Sequence, residues 1–258
     1  MKVTLQKGQK AFFTSDTHFH HKNICEGLSD WDREKNAHQF RPFNTLEELD
    51  KTLVENINST VGEDDVLIHL GDWSFGGKEQ IWEFRKQIKC KNIHLILGNH
   101  DHHIERDKII PNAQSKRNFA NDFEVADGEA PTPYGDSRDL YFQATFKELF
   151  KSVNKLENLT ISVPQVRTAK MVAQPKNKKH RFVICHFPLA SWDKMGEGVM
   201  HLHGHIHTPT EARLGPGRMM DVGIDGHPEF RPYELLEILE LLKDRPIEGL
   251  LQHKYDHH

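Results

Sequence analysis

The sequence predicts an α/β fold, in which short buried strands alternate with amphipathic helices. Apolar runs of four or five residues recur along the chain, and most of them end in a polar, glycine-containing turn. Segments with helical apolar spacing separate the early runs. The chain has 258 residues, and we expect a single domain over 1–258, because α/β folds of roughly 200–250 residues are common.

The first hundred residues carry the clearest alternation. Asn44 and Glu47 have the spacing of a helix cap and capping box, so a helix is expected to begin beside them. The apolar positions predict strands over 10–14, 66–70 and 93–97 and helices over 45–60 and 78–90.

The alternation is interrupted between about residues 102 and 180, where the sequence is polar and contains several prolines. We expect this region to be an insertion in the single domain, because clusters of His, Asp, Asn and Gly lie in the sequence both before and after it. A loop of this length would need elements of its own, and we expect a helix over 140–150 and a strand over 156–163. Strands are predicted again over 181–185, 199–203 and 219–222.

Charge and composition exclude several classes of protein. The net charge of −4 gives no extended basic surface for nucleic acid, and no run of 18 apolar residues could cross a membrane. The first ten residues do not resemble a signal peptide, and three scattered cysteines do not form a disulfide framework. We therefore expect a cytoplasmic protein, and the sequence leaves its oligomeric state open.

Histidine is the unusual feature of the composition, with 19 residues. Several histidines occur with Asp, Asn and Gly where apolar runs end, and the ends of strands are where open α/β sheets present ligand-binding groups. Five short clusters have this position: Asp16-Thr-His18, Gly71-Asp72, Gly98-Asn99-His100-Asp101, His186 and Gly204-His205-Ile-His207. Carboxylates, an amide and imidazoles without a thiolate suit Mn, Fe, Zn or Ni better than Ca or Mg.

In this order, the five clusters resemble the motifs of the calcineurin-like metallophosphoesterase superfamily. The opening segment 14–23 is similar to its compact bacterial and phage phosphoesterases. Asp101 differs from the Glu of the Ser/Thr protein phosphatases, and Phe75 occupies the position where purple acid phosphatases have a metal-binding Tyr. The resemblance implies a four-layer α/β sandwich of two mixed β-sheets flanked by helices, with the region 102–180 as a cap-like insertion.

The resemblance also implies two divalent metal ions, most commonly Mn, that share a bridging hydroxide and are bridged by Asp72. Asp16, His18 and His207 would complete one metal site, and Asn99, His186 and His205 the other. His100 would act on the leaving oxygen, and Asp101 would orient the His100 imidazole.

These motifs imply hydrolysis of a phosphoester but do not identify the substrate, and substrate-binding residues stay unknown. Aromatic and basic residues of the insertion favour a phosphodiester or a nucleotide: Phe119, Phe123, Tyr134, Tyr141, Phe142, Arg117, Arg138 and Arg167. The alternatives are a phosphomonoesterase and a catalytically weak metal-binding interaction scaffold.

Overall fold

The computed structural model describes residues 1–36, 39–117, 123–128, 140–165 and 176–247. Within these ranges the strands are β1 (Lys2–Thr4), β2 (Ala11–Thr14), β3 (Val66–His69), β4 (Asn92–Ile96), β5 (Ile109–Arg117), β6 (Phe123–Asp127), β7 (Leu140–Thr145), β8 (Ser152–Asn154), β9 (Leu156–Val163), β10 (Lys178–Cys185), β11 (Met200–His203), β12 (Met219–Asp221) and β13 (Tyr233–Glu234). The α-helices are α1 (Arg33–Asn36), α2 (Leu46–Thr60), α3 (Lys78–Gln87), α4 (His102–Glu105) and α5 (Leu235–Leu242). Single turns of 3₁₀ helix lie at Lys22–Ile24, Phe146–Leu149, Met195–Glu197 and Ile224–Gly226.

Two mixed five-stranded sheets form the body of the protein. The first has the order β1-β9-β10-β11-β12, in which only the β9–β10 pair is antiparallel. The second has the order β13-β2-β3-β4-β8, in which only the β13–β2 pair is antiparallel. Buried apolar residues of both sheets share one core, where Phe13 and Phe182 have ring centroids 5.6 Å apart. The predicted α/β architecture of two mixed sheets with helices is confirmed.

Helices cover the outer face of the second sheet. Ile57 of α2 and Phe84 of α3 pack there against Leu67 and Ile93 of the sheet. The helix predicted over 45–60 is confirmed as α2, but its cap is Thr45, whose side chain accepts from the Glu48 amide at 3.1 Å. The capping residue therefore lies one position after the predicted Asn44.

The predicted strands are present, with ends within a few residues of those expected. The helix predicted over 140–150 is wrong, because β7 occupies its first half and a 3₁₀ turn follows. Leu140–Thr145 pairs with β5. The local sequence suits a helix as well as a strand, and the pairing with β5 favours the strand. The strand predicted over 156–163 is confirmed as β9.

The region 102–180, predicted as an insertion, contains strands of two kinds. β5, β6 and β7 form a separate three-stranded sheet of order β6-β5-β7. In contrast, β8 pairs with β4 in the second main sheet, and β9 pairs with β1 and β10 in the first. The second half of the predicted insertion is therefore part of the sandwich.

The sheet of β5, β6 and β7 packs on the outer side of the second main sheet. Ile110, Ala113 and Ala144 join the core beneath α3, and the Trp82 indole donates to Asp127 at 2.8 Å. Of the aromatic and basic residues expected to contact substrate, Phe119, Tyr134, Arg138 and Arg167 lie outside the described residues. The cap-like role of the insertion stays a prediction.

No helix in the described ranges is long and apolar enough to cross a membrane.

Candidate metal centre

The predicted site residues follow the carboxyl ends of strands in both sheets. β2, β3 and β4 run parallel in the second sheet, and β10 and β11 run parallel in the first. Parallel strands end at the same edge of a sheet, so the loops after them meet there. These loops carry the predicted ligands Asp16 and His18 after β2, Asp72 after β3, Asn99 after β4, His186 after β10, and His205 and His207 after β11.

The backbone at this edge is held in a conformation that non-glycine residues seldom adopt. Five of the predicted ligands have a positive φ: Asp16 (54°), His18 (45°), Asp72 (56°), His205 (76°) and His207 (48°). Such positions persist only where surrounding contacts fix them, and they occur often at functional sites. Here the Asp16 amide donates to the Gly71 carbonyl at 2.9 Å and the His18 amide donates to the Asp72 carbonyl at 3.0 Å.

Glycine is required where two of these loops touch. A Cβ atom on Gly98 would lie 2.2 Å from Asp72 Oδ1, and one on Gly204 would lie 2.3 Å from Asp16 Oδ2. Both distances are far below van der Waals contact, so a larger residue would displace a predicted ligand. The glycines of these motifs therefore serve close packing of the loops that carry the carboxylates.

One group of possible metal ligands is formed by Asp16, His18 and His207, whose nearest ligand atoms all lie within 4.8 Å of one another. The Nε2 atoms of the two histidines are 3.2 Å apart, and each lies 3.9 Å from Asp16 Oδ1. Asp16 is fully buried, and its Oδ1 has no hydrogen-bond partner.

A second group, Asp16, Asp72 and His186, meets the same 4.8 Å limit. Asp72 Oδ2 lies 3.5 Å from His18 Nε2 and 3.4 Å from His186 Nε2, so this one oxygen is close to both groups. Its other oxygen, Oδ1, accepts from the His100 amide at 2.9 Å. Asp72, a member of the second group, therefore also borders the first, as expected of a bridging carboxylate, and Asp16 belongs to both groups.

Asn99 and His205 border the second group. Asn99 Oδ1 lies 3.0 Å from His186 Nε2, and the His205 ring centroid lies 5.1 Å from that of His186. The His205 amide also donates to Asp16 Oδ2 at 2.9 Å. The structure thus brings all seven predicted ligands to one edge of the sandwich, with His205 on its exposed side.

The acceptors around His186 fit a cation. His186 Nδ1 donates to the Leu70 carbonyl at 2.7 Å, and its Nε2 faces two further acceptors, Asn99 Oδ1 at 3.0 Å and Asp72 Oδ2 at 3.4 Å. Burial alone would lower the pKa of His186, but Asp72 and Asp16 raise it to about 9, while burial raises the pKa of Asp16 to about 7. A divalent ion held by these N and O donors would favour the neutral form of the imidazole and the charged form of the carboxylate.

Sequence reasoning missed the two residues that orient His207. The His207 Nδ1 donates to Asp225 Oδ2 at 2.8 Å, and the buried Arg41 binds both oxygens of Asp225 at 2.7 and 3.0 Å. Burial would raise the pKa of Asp225, but Arg41 and His207 hold it below its ordinary value. A carboxylate on the far nitrogen fixes the tautomer and orientation of a metal-binding imidazole. Asp225 follows the end of β12, and this strand-end position was the signal available in the sequence.

The expected role of Asp101 is wrong. Its carboxylate accepts from the backbone amides of Asp72 at 2.8 Å, Gly98 at 2.8 Å and Trp73 at 3.0 Å, and it has no bond to the His100 ring. Asp101 therefore ties two ligand-bearing loops together instead of orienting His100. The reason is local: Asp101 is buried beneath the loops, whereas His100 projects to the exposed side.

His100 lies beside the ligands without belonging to either group. Its ring centroid is 5.4 Å from that of His18 and 5.2 Å from that of Phe75. The His100 side chain is exposed at this edge of the sandwich.

Comparison with known proteins assigns the chain to a family. An uncharacterized protein of Methanocaldococcus jannaschii is 34% identical over 104 residues, which are 40% of this chain and 52% of that protein. The chain thus matches about half the length of this curated relative. No solved structure matches significantly. The family model for calcineurin-like phosphoesterases matches residues 10–209, a span that contains all five clusters. The chain belongs to the calcineurin-like phosphoesterases, a family of metal-dependent hydrolases that act on phosphoesters.

Proposed function

We propose that this protein hydrolyses a phosphodiester or a nucleotide at a dinuclear centre. The observation that carries the proposal is the convergence of two ligand groups on Asp72, whose Oδ2 lies within 3.5 Å of a histidine of each group. A lone structural metal would need only one such group.

Each metal would take four protein ligands, with Asp72 shared between them. Asp16, His18 and His207 complete the first set, and Asn99, His186 and His205 complete the second. Two divalent ions, with Mn²⁺ as our first choice, would activate a water molecule and neutralise charge on the phosphate. The remaining steps depend on side chains of the chain itself.

His100 is proposed to hold the leaving oxygen and to donate a proton to it. Its side chain is exposed, and its backbone amide is fixed on Asp72 Oδ1, so the ring has a defined place beside the ligands. A positioned acid of this kind contributes roughly 10²–10⁴-fold to a rate. Asp101 supports the reaction indirectly, because it fixes the backbone of Asp72 and Gly98.

The exposed groups beside the ligands support a diester over a monoester. In the described ranges they include the His100 and His205 imidazoles and the Phe187 and Ile206 side chains. Arg41 also contacts the ligand-bearing loops, but it is buried on Asp225 and on the carbonyls of Asp16 and Thr17. Exposed apolar side chains suit the organic substituents of a diester.

The test is a panel assay of the Mn²⁺-loaded protein. We expect bis-p-nitrophenyl phosphate and linear or cyclic nucleotides to be hydrolysed faster than p-nitrophenyl phosphate. Faster turnover of p-nitrophenyl phosphate would establish the phosphomonoesterase alternative. Tight metal binding without turnover of any phosphoester would establish the interaction scaffold.

A further inference from the structure

Exposed apolar side chains concentrate at the metal centre. Three of the seven large apolar side chains that are exposed in the described ranges lie next to it in the chain or in space: Phe75 (36% exposed), Phe187 (43%) and Ile206 (43%). Phe187 directly follows His186, and Ile206 stands between His205 and His207. A grouped apolar surface beside a polar site commonly marks a binding surface.

Phe75 is held in place although its outer side is open. Its ring stacks on the buried His21 with a centroid distance of 3.8 Å and an interplanar angle of 24°. Trp31 supports His21 from the side at 5.4 Å, and the Phe75 amide donates to the Phe19 carbonyl at 2.8 Å. An aromatic ring that is fixed before binding loses little conformational entropy when a ligand covers it.

Phe75 and Phe187 border different parts of the ligand cluster. The Phe75 ring centroid lies 5.2 Å from that of His100 and 6.5 Å from that of His18, so Phe75 borders the first group of possible ligands. Phe187 lies 5.0 Å from His186 and 4.7 Å from His205, so it borders the second. A phosphate bound across both groups would lie beside both rings.

We propose that Phe75 and Phe187 bind the two substituents of a phosphodiester, and that the site thereby selects diesters with a flat aromatic group on each side of phosphorus. Phe75 adjoins His100 and contacts the leaving group, whereas Phe187 contacts the group that stays on the phosphate. This assignment rests on the proposed function, in which His100 holds the leaving oxygen. A monoester has one substituent and would leave one ring uncovered.

The test compares two diesters with the same leaving group. Methyl p-nitrophenyl phosphate and phenyl p-nitrophenyl phosphate both release p-nitrophenolate, so only the retained group differs. We expect kcat/KM of the Mn²⁺-loaded protein to be roughly 10-fold higher for the phenyl ester, the scale of one stacking contact. Phe187→Ala should reduce this ratio to about 1. Phe75→Ala should lower kcat/KM for both esters and keep their ratio, because both present the same ring to Phe75.

Controls separate the rings from the metals. Leu236→Ala removes an equally apolar side chain that is 64% exposed on α5, and it should change neither rate. Metal content of each variant, with the binding of phenylphosphonate and methylphosphonate measured by calorimetry, gives a readout independent of turnover. Phenylphosphonate should bind more tightly than methylphosphonate to the wild type, and Phe187→Ala should remove the difference.

Two outcomes would overturn the assignment. Equal kcat/KM for the two esters in the wild type, or an unchanged ratio in Phe187→Ala with full metal content, would refute it while leaving the proposed hydrolysis intact. Failure of the Mn²⁺-loaded protein to hydrolyse either ester would refute the proposed function itself.

Discussion

Replacing Asp225 with Asn tests whether the buried pair behind His207 supports both stability and metal binding. The change keeps the shape of the side chain but removes its charge. The guanidinium of Arg41, only 2% exposed, would then be buried without a counter-ion, and the His207 Nδ1–H would lose its carboxylate acceptor.

Two magnitudes follow from these contacts. Breaking a buried ion pair on one side costs about 3–5 kcal/mol, which corresponds to a Tm lower by roughly 10 °C in a chain of this size. Loss of a carboxylate that orients a metal-binding histidine costs about 10–100-fold in metal affinity. We therefore expect Asp225→Asn to be destabilised even without metal and to bind Mn²⁺ more weakly.

The assay is thermal and urea unfolding of the metal-free protein, followed by Mn²⁺ titration. Asp30→Asn is the matched control, because Asp30 pairs with Lys22 at 2.7 Å with both side chains largely exposed. It should leave Tm and Mn²⁺ affinity unchanged. The reasoning would be refuted if Asp225→Asn lowered the free energy of unfolding by less than about 1 kcal/mol and left the Mn²⁺ affinity unchanged. A loss that small is typical of an exposed ion pair.

Three further predictions concern other parts of the molecule. His100→Ala should retain both metals yet lower kcat by roughly 10²–10⁴-fold, with a smaller loss for substrates that have good leaving groups. Metal analysis and a series of leaving groups measure this, and equal losses across the series would argue against proton donation. Burial lowers the pKa of His201 to about 4, so this side chain is neutral in the folded protein. Its contribution to the free energy of unfolding is therefore complete above the unfolded pKa near 6.5 and falls as the pH drops toward 4. Between pH 7 and pH 4, the free energy of unfolding in urea should therefore fall by about 3 kcal/mol more for the wild type than for His201→Gln. Parallel plots of this free energy against pH for the two proteins would contradict the prediction. Replacing residues 114–142 with a short Gly/Ser linker, which spares β8 and β9, should lower nucleotide turnover and preserve that of bis-p-nitrophenyl phosphate; unchanged turnover of every substrate would show that the insertion is no cap.

The sequence was most informative where local pattern and position agreed. Short apolar runs ending in Gly-Asp or Gly-Asn predicted β3 and β4 to within a residue or two, because a buried parallel strand and its turn are both local features. The seven predicted ligands came from the resemblance of the five clusters to the family's motifs. The structure brings them to one edge because the strand ends of both sheets meet there.

Long-range pairing explains most of what the sequence did not predict. β8 and β9 lie within an irregular region, and only their partners β4 and β10 make them part of the sandwich. The role of Arg41 also depends on a distant partner, because Arg41 pairs with Asp225 far away in the chain. No local sequence pattern predicts that contact. The role expected of Asp101 came from the resemblance, and a motif does not show that its carboxylate accepts from the backbone amides of Asp72, Trp73 and Gly98.

The central claim is that two divalent ions at the shared Asp72 carry the hydrolysis. The most direct measurement titrates Mn²⁺ into chelator-treated protein while bis-p-nitrophenyl phosphate turnover and bound metal are followed together. The account predicts no turnover without metal, full activity at two ions per chain, and loss of tight binding at both positions in Asp72→Ala. Undiminished turnover of the metal-free protein, or two tightly bound ions in Asp72→Ala, would contradict it.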